Sequence, residues 1–119
     1  MTRDDVIAYC LAKRGAYTDT PFGPDTLVIK VLNKMFAALS TDPTVETVNL
    51  KCEPDHALIL RNAYPDHVQP GYHMNKKHWN TVTFTQVPDD ELRDWISESY
   101  DLVVASMTKA DRTRLQTDD

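Results

Sequence analysis

The segment TLVIKVLNKMFAALS, residues 26–40, decides the fold. Thr26–Leu32 is rich in branched apolar residues, whose stiff side chains pack well on a pleated surface. Asn33-Lys34 is a two-residue connection, and Asn tolerates the positive φ that a tight hairpin turn requires. Met35–Ser40 is then the return strand, and strands joined this tightly must run antiparallel. Thr41-Asp42-Pro43 breaks the chain. Beyond it Val45–Cys52 alternates, with Val48, Leu50 and Cys52 on one side and Thr47, Asn49 and Lys51 on the other.

Helices flank these three strands. Thr2 caps a first helix whose third residue is Asp5, a relative of the capping box. Val6, Ile7, Cys10 and Leu11 follow at helical spacing, and Gly15 is its C-terminal stop. The stretch AYTDTPFGPD, with two prolines and a glycine, reads as an ordered loop. Pro54 suits the first turn of a second helix carrying Ala57, Leu58, Leu60 and Arg61, which ends at Tyr64-Pro65-Asp66. An extended piece at Val68–His73 and a strand at Trp79–Thr85 frame a second hairpin. Val82 and Phe84 face the core there, and Trp79, Thr81 and Thr83 face outward. Pro88-Asp89-Asp90-Glu91 starts a long helix with acids against the positive end of its dipole. Leu92, Ile96, Ser99, Val103 and Met107 make its buried face, with Trp95 and Tyr100 at the margins.

The expected class is therefore α+β in two layers, α-β(3)-α-β(2)-α, with a curved antiparallel sheet and helices on one face. At 119 residues the chain is one domain, residues 1–108, followed by a polar C-terminal tail at 109–119. The uncovered sheet face carries Lys30, Thr47, Asn49, Lys51, Trp79, Thr81 and Thr83.

The net charge of −5 argues against broad nucleic-acid affinity, but the charges are unevenly distributed. Residues 26–88 hold Lys30, Lys34, Lys51, Arg61, Lys76 and Lys77 against Asp42, Glu46, Glu53, Asp55 and Asp66. Between Gln69 and Pro88 there is no acid. No apolar run approaches the ~20 residues that a membrane span needs. The start, MTRDDVIAYC, carries two acids where a secretory signal would carry basic residues and then an apolar stretch, so a cytoplasmic protein without a membrane partner is expected. Cys10 and Cys52 form no CxxC pair, and in a reducing compartment both are expected to be free and packed.

Three blocks form a set: TPFGPDTLVIKV (20–31), VNLKCEPDHALILR (48–61) and GYHMNKKHWNTV (71–82). With the closing SYDLVVA (99–105), they resemble the MmcQ/YjbR-like family of small bacterial proteins, over Gly15 to Met107. The resemblance implies a fold related to the CyaY-like and secretion-chaperone-like architectures. It also implies a DNA-binding role through hairpins described as a double wing. The matching positions are Pro21, Phe22, Gly23 and Lys30; Asn49, Lys51 and Cys52; and His73, Met74, Asn75, Lys76, Lys77, His78, Trp79 and Asn80. Leu32-Asn33 departs from the glycines that family members often carry just before the lysine, which bears on the turn type and on the position of Lys34.

For DNA, Lys76 and Lys77 would meet phosphates, with Lys30, Lys34 and Lys51. Asn49, Asn75, Asn80 and Trp79 would add hydrogen bonds and stacking, and His73 and His78 positive charge below pH ~6.5. The same pattern also describes a hairpin kept soluble by lysines and pinned by a tryptophan over the sheet edge. A protein-interaction surface on the open face is an alternative. So is a shallow small-ligand cleft lined by Phe22, Tyr72 and Trp79, with Lys30 or Lys51 at its base.

Metal binding and catalysis find less. His73 and His78, with His67 and His56, match no standard zinc spacing, so no metal is expected. Cys52 sits with the apolar face of its strand, as a buried thiol rather than a nucleophile. No GxSxG and no Gly-rich phosphate loop is present, so neither catalysis nor a cofactor is expected. The expectation is a monomeric, non-catalytic binding module.

Overall fold

A computed structural model describes residues 1–71 and 74–117. The elements are α1 (Arg3–Leu11), β1 (Ala16–Asp19), β2 (Thr26–Val31), β3 (Lys34–Ser40), β4 (Thr47–Lys51), α2 (Pro54–Ala63), β5 (Val68–Pro70), β6 (Trp79–Thr83), α3 (Asp89–Ala105) and α4 (Lys109–Thr117). The strands form one antiparallel sheet in the order β1-β2-β3-β4-β6-β5. It is the α+β, two-layer arrangement that the alternation of residues 26–52 predicts.

Two elements go beyond that expectation. Ala16–Asp19, expected within a loop, pairs with β2 as an edge strand (Ala16 with Val31, Asp19 with Val28). Residues 109–117, expected as a polar tail, form α4 instead. Leu115 is buried, and Arg14 donates to the carbonyls of Leu115 (2.8 Å) and Gln116 (2.5 Å). The β2–β3 turn also sits one residue early. Leu32 and Asn33 carry φ of 45° and 67°, and Lys34 already pairs with Val31. Both central residues in the left-handed region make this the turn whose twist matches a hairpin. The Tyr17 hydroxyl donates to Asn33 Oδ1 and accepts from its N–H, holding a bend where glycine is the usual solution.

Apolar residues from β2, β3, β4 and β6 meet α1, α2 and α3 in one core, with Phe36, Phe84, Ile29, Leu39, Leu50, Leu92 and Ile96 fully enclosed. The capping box at Thr2 and Asp5 is formed in both directions (3.1 and 3.0 Å). Trp95, placed at the margin by helical spacing, is buried and meets Tyr64 edge-on.

The β2–β3 ladder breaks once. Ile29 pairs with Ala37 and Lys30 with Met35, so Phe36 is an extra, bulged residue. On its other side β3 pairs with β4 only at Ala37–Leu39, leaving the Phe36 carbonyl and the Lys51 N–H without ladder partners. Ser99 of α3 serves both. Its hydroxyl donates to the Phe36 carbonyl (2.5 Å) and accepts from the Lys51 N–H (2.9 Å), fully buried. This bridge ties the long helix to the sheet at the end where the candidate residues gather.

Candidate functional site

Strand direction determines which side chains share an end of the sheet. β2 ends, β3 begins, β4 ends and β6 begins at the same edge, because Val31 pairs with Lys34 and Lys51 with Trp79. Lys30, Lys34, Lys51 and Trp79 therefore lie towards one end, and residues 74–78 extend beyond it. Side-chain parity places Lys30, Lys51 and Trp79 on the face away from the helices. The acids of α3 belong to the other layer.

The lysines are not equivalent. Lys30 is neutralised by Asp19, its ammonium 2.8 Å from the carboxylate. That bond is the main reason the Asp19 carboxyl lies below the usual carboxylate range and the Lys30 ammonium above the usual lysine value. Lys34, Lys51 and Lys77 lie outside ion-pair distance of any described carboxylate. Lys76 and Lys77 are exposed on the turn before β6.

The polar residues grouped with them divide sharply. Asn80 cannot contact DNA as expected. It is 1 % exposed, faces the helices like Val82, and accepts from Arg61 Nε at 2.7 Å. The amide of Asn49 is engaged within the sheet, accepting from Thr81 (2.6 Å) and donating to the Ala38 carbonyl (3.3 Å). Asn75 shapes the turn, its side chain accepting from Lys77 N–H and its carbonyl from His78 and Trp79 N–H. Arg61 holds the same turn through the carbonyls of Lys76 and Trp79. Trp79 and His78 are half-buried. His73, Tyr72 and the end of the piece expected at Val68–His73 lie outside the described residues.

The open face carries a hollow of about 650 Å³. Ala38, Thr47, Asn49 and Thr81 lie among its lining, together with Phe22 from the β1–β2 loop and Met74. Small residues on the strands make the depression, and Phe22 stands 70 % exposed beside it. Tyr72, expected in an aromatic cleft here, lies outside the described residues. Phe22 lines the hollow, but Trp79, Lys30 and Lys51 do not.

A second cluster lies on the helix side, where β4 runs into α2. Cys52 Sγ is 3.1 Å from Glu98 Oε2 and 3.5 Å from His56 Nδ1, and His56 Nδ1 is 2.6 Å from Glu98 Oε1. The Glu53 N–H also donates to Glu98 (3.2 Å). Burial, then the hydrogen bond to Glu98, push the Cys52 thiol well above its ordinary value. A carboxylate beside the sulfur opposes the thiolate, so this arrangement does not prepare a nucleophile. Cys10, free and buried elsewhere, is pushed up to about 12 by burial. Sequence spacing hints only at Cys52-x3-His56. Glu98 arrives from α3, and nothing in a linear reading pairs it with them.

An open-faced six-stranded antiparallel sheet, backed by helices and lysine-bearing at one end, defines a small α+β domain of one recognisable class. The chain belongs to the YjbR family, whose model matches residues 11–102. It is 40% identical to YbdF of Escherichia coli O157:H7 over 97 residues, covering 81% of this chain and 79% of that protein. It is 32% identical to YjbR of Escherichia coli K12 over 116 residues, covering 97% and 98%. Among solved structures, Deinococcus radiodurans DR2400, with a DUF419 domain, superposes with a TM-score of 0.86 at 40% identity, covering 97% of this chain and 88% of that one. Among the described residues, no helix is long and apolar enough to cross a membrane.

Proposed function

We propose that the chain is a non-catalytic binding module that holds the phosphate backbone of DNA at the lysine-bearing end of its sheet. The observation that carries this reading is strand register. It gathers Lys34, Lys51 and the turn bearing Lys77 at one end, outside ion-pair distance of the described carboxylates. Ammonium groups so arranged suit weak, sequence-independent contact, because phosphates position a protein without specifying bases. Lys30 contributes less, being paired with Asp19.

Fluorescence anisotropy of a labelled short duplex tests it. Three lysine–phosphate contacts give a salt slope near −2.7, at about 0.9 per contact, so affinity falls roughly 40-fold between 50 and 200 mM salt. Lys34→Glu/Lys51→Glu/Lys77→Glu abolishes binding at the lower salt. A variant that binds as tightly as the parent, with the same salt slope, rules the reading out.

A second reading rests on the hollow beside Phe22. Its volume is within the range of small-ligand sites, and its lining mixes apolar side chains with hydroxyls, the Asn49 amide and the Asp25 carboxylate. Small amphipathic compounds that raise the melting temperature of the parent, but not of an Ala38→Leu variant with a filled floor, would favour it over DNA.

A further inference from the structure

We propose that Cys52, His56 and Glu98 form a binding site for one borderline-soft divalent cation, Zn2+ above all, with solvent completing its coordination. A thiolate, an imidazole and a carboxylate are the three side-chain types that zinc selects. Their ligand atoms already converge from three places: the residue after β4, the first turn of α2 and the middle of α3.

The distances allow a metal. Bonds of ~2.3 Å to sulfur and ~2.0–2.2 Å to nitrogen and oxygen, at tetrahedral angles, separate the ligand atoms by about 3.4–3.6 Å. Sγ and Nδ1 are 3.5 Å apart, which meets that spacing. The contacts to Glu98, at 3.1 and 2.6 Å, are shorter because protons bridge them. The two contacts are to different carboxylate oxygens, Oε2 and Oε1, and rotation about the Glu98 side chain brings one of them to the metal in place of the protons. On binding, the Cys52 thiol proton and any proton held between His56 and Glu98 leave for solvent.

The surroundings favour a cation. Glu98 also lines an open hollow with Glu53, Asp94 and Asp101, so carboxylates guard the approach. One ammonium, Lys13, reaches this lining through Ser97 (2.6 Å). The Glu53 N–H donates to the same Glu98 oxygen, Oε2, that accepts from the Cys52 thiol, and so helps to fix the carboxylate, as outer partners do at metal sites. Cys52 is buried while the His56 and Glu98 side chains are 36% and 25% exposed, leaving a solvent-facing side for a fourth ligand.

Titration of the reduced, metal-free chain with Co2+, read by absorption, tests the site. The expected result is one cobalt per chain, with a thiolate-to-cobalt charge-transfer band and the strong visible bands of four-coordinate cobalt, both displaced by Zn2+. Cys52→Ser loses the charge-transfer band, His56→Gln and Glu98→Gln weaken binding at least tenfold, and Cys10→Ala leaves the spectrum unchanged. His56 and Glu98 are partly exposed, so their variants keep the test decisive if Cys52→Ser folds poorly. Absence of a thiolate band in the parent, its survival in Cys52→Ser, or unchanged affinity in both His56→Gln and Glu98→Gln overturns the proposal.

Discussion

Replacing Ser99 by alanine removes one oxygen and leaves two buried backbone groups, the Phe36 carbonyl and the Lys51 N–H, without their partner. Each such group costs about 1–3 kcal/mol when water cannot replace the lost bond. The void left by one hydroxyl adds only a few tenths, at ~24 cal/mol per Å3 of cavity. The expected loss is about 2–6 kcal/mol, a fall in melting temperature of roughly 8–25 °C for a domain of this size. Urea denaturation followed by far-ultraviolet circular dichroism measures it, and the midpoint should move without a change in slope. Ser106→Ala is the control. That hydroxyl bonds only the Val103 carbonyl at the exposed end of α3, so its removal should stay within ~0.5 kcal/mol. A loss below ~0.5 kcal/mol for Ser99→Ala would show that the bulge finds its hydrogen bonds elsewhere, and the account of how α3 is tied to the sheet would be wrong.

Gly15→Ala strains a backbone at φ +75° and sets a Cβ 2.7 Å from Leu115 Cδ1. It should destabilise by about 1–2 kcal/mol, and limited proteolysis should then cut residues 109–117 well before the sheet. Asp19 and Lys30 predict a pH effect with a definite sign. The Asp19 carboxyl is depressed, by the Lys30 hydrogen bond first and the Thr20 N–H second, so its stabilisation is complete above the unfolded value of ~3.9 and is lost as pH falls through the lower folded value. Carboxyl-carbon NMR titration should place Asp19 below ~3.9 in the parent and return it towards that value in Lys30→Ala.

How much of this could be read from sequence depended on how local the signal was. β4 was plain because Val48 and Leu50 alternate with Thr47, Asn49 and Lys51, and one buried face enforces that period. The long helix announced itself through acids at its start and apolar residues along one face, Ser99 among them. That a serine on such a face bridges a bulge was hidden, since the bulge exists only in the pairing of β2 with β3. β1 is four residues followed by prolines, and its strand character comes from β2 rather than from its own residues. α4 is anchored by Leu115 alone among its buried residues, too little for a periodic signal. For the candidate site, the acid-free window marked the turn before β6, but grouping Asn80 with it ignored the alternation that pairs it with Val82 on the inner face. The Cys52–His56–Glu98 cluster needed the third dimension, because its carboxylate lies 42 residues beyond the histidine.

The clasp between Arg14 and α4 has a consequence for biosynthesis. The guanidinium joins residues separated by 101 and 102 positions. A ribosome-bound chain lacking Leu115 and Gln116 can form the central hairpins, which need only near neighbours, yet the segment after α1 still lacks these two partners. Closure at that corner therefore follows translation of Gln116, and truncated nascent products should present the region around Gly15 to quality-control proteases.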